Sequence, residues 1–158
     1  MEFRERSTMK ALIERIVVMA IGLLGLVGCA GESPNNLGAK GGLLAPCPSS
    51  PNCVSSQASG EHHRIAPLTF SGNPDKAFAR LKQVVFQRSD TTIVEDVPDY
   101  LRVELRTFLF VDDGEFLLDR TNKVIQVRSA SRLGYSDLGK NRSRLEDIRR
   151  QFLAFGGE

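Results

Sequence analysis

Three acidic residues, Asp112, Asp113 and Glu115, lie close together in the chain, and two arginines, Arg128 and Arg132, follow shortly after. Carboxylates beside guanidinium groups can serve as general acid and general base. One reading is therefore a small hydrolase-type enzyme that uses the Asp112/Asp113/Glu115 and Arg128/Arg132 cluster. Such clusters are more often structural ion pairs, because networks that stabilise a fold perturb carboxylates in the same way. Ser129 and Ser131 have no His in sequence context, and no GxSxG elbow occurs. Arg128, Arg132, Arg142 and Arg144 together suit an anion, but Asp137, Glu146 and Asp147 neutralise several of them locally. The two histidines, His62 and His63, are adjacent, and neighbouring side chains seldom converge on one metal. These residues lead to no expectation of a metal, a cofactor or a nucleic-acid partner.

The cysteines point to a compartment. Residues 16–28 are apolar and follow a basic stretch with Lys10 and Arg15. That run is short for a membrane span, which needs roughly 20 residues, and fits a secretory signal. It ends in Leu26-Val27-Gly28-Cys29, which resembles the lipobox of bacterial lipoproteins. The resemblance implies cleavage after residue 28 and a lipid on Cys29. Residues 1–28 are thus read as a signal peptide and 29–45 as a lipidated Cys with a flexible, Gly- and Asn-rich tether. Ala30 stands where an Asp would resemble an inner-membrane retention signal, so the outer membrane is favoured. Secretion leaves Cys47 and Cys53 in an oxidising compartment, where paired thiols form disulfides. A zinc site is the weaker alternative, since their spacing is not that of zinc ligands and no second pair follows.

Residues 46–158 are expected to form a single α+β domain. Residues 64–70 read as a short strand interrupted by Pro67. Asn73 is a good N-cap with Pro74 at the first helical position, and the apolar residues Ala77, Phe78, Leu81, Val84 and Val85 have helical period. From Thr91 the period becomes two, and strands are predicted near 91–97, 100–111, 115–119 and 124–129. Asp113-Gly114 is a strong hairpin signal and predicts a turn pairing Val111 with Phe116 and Leu109 with Leu118. A turn at 120–123 then pairs Phe116 with Val127 and Leu118 with Ile125. This register sets Glu115 opposite Arg128 and Asp112 opposite Glu115, so that two carboxylates flank one guanidinium. A last helix is expected from about Asn141 or Ser143, with a capping box at Ser143 and Glu146 and a core stripe of Leu145, Ile148, Phe152 and Phe155. The predicted architecture is a four-stranded antiparallel meander with an N-terminal and a C-terminal helix packed on it.

Three stretches, CPSSPNCVSS at 47–56, FVDDGEF at 110–116 and RSASRLGYSDLGKNRSRLE at 128–146, resemble a bacterial and plastid family known as domain of unknown function 1499. The resemblance runs from about Pro46 to Phe155. Gly114 departs from the apolar residue that the resemblance leads one to expect there. The family's activity is unknown, so the resemblance implies no catalytic residues.

The formal net charge of the 158-residue chain is only +2, which argues against nucleic acid. Taken together, these features lead to the expectation of a lipid-anchored, periplasm-facing protein of the cell envelope. Its expected role is a non-catalytic binding or scaffolding module, with an envelope protein, a lipid or a glycan as ligand and the membrane reached through Cys29. The Asp112, Asp113, Glu115, Arg128, Arg132, Asp137 and Arg142 cluster is expected to be either functional or structural.

Overall fold

A computed structural model describes residues 31–155. Residues 1–28, the stretch read as a signal peptide, and Cys29 lie outside the described residues. The element order is β1 (Cys53–Ser55), β2 (Leu68–Thr69), α1 (Pro74–Phe86), β3 (Thr91–Val97), β4 (Tyr100–Arg106), β5 (Val111–Asp119), β6 (Val124–Ser131) and α2 (Lys140–Ala154). The domain is α+β.

The sheet has six antiparallel strands, not the four expected, in the order β1-β6-β5-β4-β3 with β2 also on β6. β1 is too short for its periodicity to show, whereas β2 falls within residues 64–70, beyond the interruption at Pro67. Both lie along the outer edge of β6, where they satisfy backbone groups that would otherwise be unpaired.

α1 begins where the sequence places it. Asn73 accepts a hydrogen bond from the Lys76 N–H at 3.1 Å, and Pro74 opens the first turn. α2 begins at Lys140, slightly before the expected start. Asp137 supplies its cap, accepting from the N–H groups of Gly139 (3.0 Å) and Asn141 (2.7 Å). The Ser143–Glu146 capping box is therefore unused, and Glu146 pairs with Arg149 instead. Leu145, Ile148 and Phe152 are buried, whereas Phe155 is half exposed and outside the core. Both helices cover one face of the sheet, and their stripes join Leu101, Val103, Leu105, Phe116, Ile125 and Val127 in one core. Arg80 lies over the Phe152 ring, 4.1 Å from its centre.

The register between β5 and β6 is as expected, with Phe116 opposite Val127, Leu118 opposite Ile125 and Glu115 opposite Arg128. The Asp113-Gly114 turn is corrected. The chain reverses at residues 107–110, closed by Thr107 and Phe110, and residues 113 and 114 lie inside β5. Val103 pairs with Gly114 and Leu101 with Phe116, so Asp112 does not face Glu115. The physical reason lies in the charges. Asp112 and Asp113 are neutralised by arginines from opposite faces of the sheet, so a sequence that reads as a turn is stable as strand. Gly114 lies on the core face, where a Cβ would stand 2.9 Å from both Leu105 Cδ1 and Val103 Cγ2. Those two side chains fill the place of the apolar residue expected at 114.

Residues 31–48 pass over the other face as a strap. Leu44 packs with Tyr100 and Leu117, and Gln57 binds the backbone of Leu44 and Gly42. Cys47 is bonded to Cys53 with an S–S distance of 2.02 Å, which joins the strap to β1. Composition alone reads residues 29–45 as a tether, but the described part of that stretch contacts the sheet.

Candidate functional site

The cluster lies on β5, and strand alternation divides it. Asp113 and Glu115 point to the strap face, while Asp112 points to the helix face. On the strap face Glu115 is 0% exposed. Its Oε2 accepts from Arg128 Nη1 at 2.9 Å. Its Oε1 accepts from the Tyr100 hydroxyl at 2.8 Å and from the Gly38 N–H at 2.9 Å. Gly38 has φ 107, a left-handed conformation that glycine adopts without strain and that turns its N–H toward the sheet. Burial, with the Glu115 charge beside it, pushes the Tyr100 hydroxyl well above its ordinary value, so it remains a donor.

Next along the strand, Arg132 grips Asp113 with both arms of its fork, Nε and Nη2 each 2.8 Å from a carboxylate oxygen. Nη2 also donates to Glu104 at 2.7 Å. The hydrogen bond from Arg132 holds the Glu104 carboxyl below its usual range, and the bond to Asp113 raises Arg132 further above its own. Strap and sheet enclose a cleft of about 380 Å³ lined by Pro34, Asn36, Pro46, Asp113, Arg128 and Arg132. Arg128 is 5% exposed, and among the described residues its Nε has no hydrogen-bond partner.

On the helix face Asp112 accepts from Arg144 Nη1 at 2.7 Å, and Arg144 Nε lies 3.4 Å from Asp90. Burial alone would raise the Asp90 carboxyl, but the hydrogen bonds and charge of Arg88 outweigh it and hold the group low. Beside this pair Ser129 donates to Asn141 Oδ1 at 2.5 Å. Asn141 Nδ2 donates to the Asn52 carbonyl (3.0 Å) and to Ser131 Oγ (2.9 Å), and Asn52 reaches the Gly134 carbonyl at 2.6 Å.

A family described as Protein of unknown function (DUF1499) matches residues 43–152. The chain belongs to this family. No curated protein and no solved structure gave a match.

The three stretches of this DUF1499 domain that carry the sequence resemblance meet in this network. The first provides Asn52 and the two cysteines, the second provides Asp112, Asp113 and Glu115, and the third provides Arg128, Ser129, Ser131, Arg132, Asn141 and Arg144. Of the expected cluster, Glu115 with Arg128 and Asp113 with Arg132 share the strap face. Asp112 lies on the opposite face. Asp137 caps α2, and Arg142 binds the carbonyls of Arg64 (2.7 Å) and His62 (3.0 Å), away from the others. Sequence reasoning missed Tyr100, Glu104, Asn52, Asn141 and Asp90 as members and weighed Arg144 only as an anion ligand. Tyr100, Arg102 and Glu104 alternate along β4, a period-two signal that puts them on one face, but no spacing signal points to the two asparagines. His63 Nδ1 is 2.9 Å from the Cys53 carbonyl. Among the described residues no group of three His, Cys, Asp or Glu side chains is placed to hold a metal ion.

Proposed function

We propose that this DUF1499 protein is a lipoprotein of the cell envelope, tethered by Cys29 and facing the periplasm, whose domain binds or scaffolds rather than catalyses. The observation that carries the non-catalytic reading is Glu115. It is the central carboxylate of the cluster, fully buried, with both oxygens engaged by protein donors. A general acid or base must reach a substrate within hydrogen-bond distance. Asp113 lines the cleft but is held in a bidentate pair with Arg132. The apolar run ending in LVGC supports the tether and, with Ala30 after Cys29, the outer membrane. A bonded Cys47–Cys53 pair suits an oxidising compartment. An envelope protein, a lipid or a glycan is the class of ligand proposed.

The tether is tested by fractionating cells that express Cys29→Ser. The variant should leave the membrane fraction, and unchanged fractionation refutes the lipoprotein reading. The binding role is tested by crosslinking the protein in intact cells. Capture of the same envelope component by the parent and by an Asp113→Asn variant supports binding without acid–base chemistry.

A further inference from the structure

The two loops at one end of the sheet expose large apolar side chains. They are the β4–β5 turn, residues 107–110, and the β6–α2 loop, residues 132–139. Phe108 is 100% exposed, Leu138 96% and Tyr135 76%, with Leu109, Phe110 and Leu133 also exposed. The loops adjoin, since the Arg132 N–H approaches the Val111 carbonyl and Phe110, Leu133 and Leu138 line one small cleft. The other end of the same strands is different. There the 120–123 turn carries Arg120, which binds Asp75 and Asp99, each at 2.7 Å. Apolar side chains at the tip of a hairpin turn have no core to join.

The strap indicates what covers them. Gly31 lies against this same end, close enough that a Cβ there would stand 2.9 Å from Arg132 Cβ and 3.1 Å from Leu133 Cγ. Cys29 is two residues away, and two residues of extended chain reach about 7 Å at most. We propose that this apolar end seats on the lipid bilayer, with residues 107–110 and 132–139 entering the interface beside the anchor. The proposal rests on the reading of Cys29 as the lipidated residue. Phe and Tyr at loop tips suit the interfacial zone, where an apolar body is buried and a polar tip stays wet. Part of the backbone in these loops is satisfied internally. Thr107 N–H donates to the Phe110 carbonyl, Phe110 N–H to Thr107 Oγ1, and Leu138 N–H to Ser136 Oγ. Seating this end would point the charged 120–123 turn away from the membrane and leave the strap cleft at the side of the domain. The anchor and the loops would act as two contacts that together fix orientation, which a lipid alone does not.

The test uses the full chain, purified with its lipid and reconstituted in vesicles of phosphatidylethanolamine and phosphatidylglycerol. Leu109→Cys and Thr121→Cys, both at exposed turn positions, are labelled with an environment-sensitive dye. The dye at 109 should shift to the blue and be quenched by brominated lipids, while the dye at 121 should stay aqueous. An aqueous dye at 109 on protein whose mass shows lipid on Cys29 overturns the membrane seating alone. Purified protein whose Cys29 carries no lipid overturns both this proposal and the tether. Far-UV circular dichroism equal to that of the parent verifies that neither variant has altered the fold.

Discussion

Arg128→Met removes the counter-charge of Glu115 while keeping an unbranched stem of apolar atoms. Glu115 is fully buried and Arg128 nearly so, and their 2.9 Å bond is the only ion pair Glu115 makes among the described residues. Removing one partner of a buried ion pair costs about 3–5 kcal/mol. The Tyr100 hydroxyl and the Gly38 N–H would still hold Oε1, and Arg128 Nε has no partner to lose. The lower end, about 3 kcal/mol, is therefore expected. With a urea slope of about 2 kcal/mol/M, the unfolding midpoint should fall by about 1.5 M. Urea titration at pH 7 followed by far-UV circular dichroism measures this. Adding Glu115→Gln to Arg128→Met removes both charges while leaving an acceptor for Tyr100 and Gly38. The double variant should recover about 2 kcal/mol relative to the single one. A single variant within about 1 kcal/mol of the parent refutes a structural role for the pair. A double variant as unstable as the single one shows that packing of the arginine stem, not charge, was lost.

Gly114→Ala should destabilise by about 1–3 kcal/mol, because its methyl must displace Leu105 and Val103 in a filled core. An unchanged urea midpoint would place residue 114 in open space. Phe152→Ala should cost about 3–5 kcal/mol, and a loss under 1 kcal/mol would put its ring outside the core. Glu104 is held below its ordinary 4.5, chiefly by the hydrogen bond from Arg132, so the unfolded chain binds its proton first as pH falls. Its contribution is complete above about pH 4.5 and declines as pH drops through the lower folded value. Glu104→Gln should therefore show a shallower loss of stability below pH 4.5 in acid titration, and an unaltered slope would contradict the pairing.

The α+β class, α1 and its Asn73 cap, the Leu145, Ile148 and Phe152 part of the α2 stripe and the β5–β6 register were all legible in the residues. Each depends on neighbours a few positions apart, where helical or strand period and capping chemistry act directly. Asp113-Gly114 misled for the same reason. Its local turn preference is real, but it is overridden by Arg132 and Arg144, which arrive from positions far along the chain. The motif around Arg128 announced that charges would meet without showing which ones. Strand alternation sent Asp112 to the helix face and Glu115 to the strap, and that division follows only once residues 107–110 are known to be the turn. The strap shows the limit most clearly. Gly- and Asn-rich composition describes a chain with few side chains to bury. It does not show that a glycine N–H will complete the coordination of a buried carboxylate 77 positions away. That contact exists because the strap's backbone runs close over the face on which the sheet presents Glu115, and tertiary structure alone brings the two together.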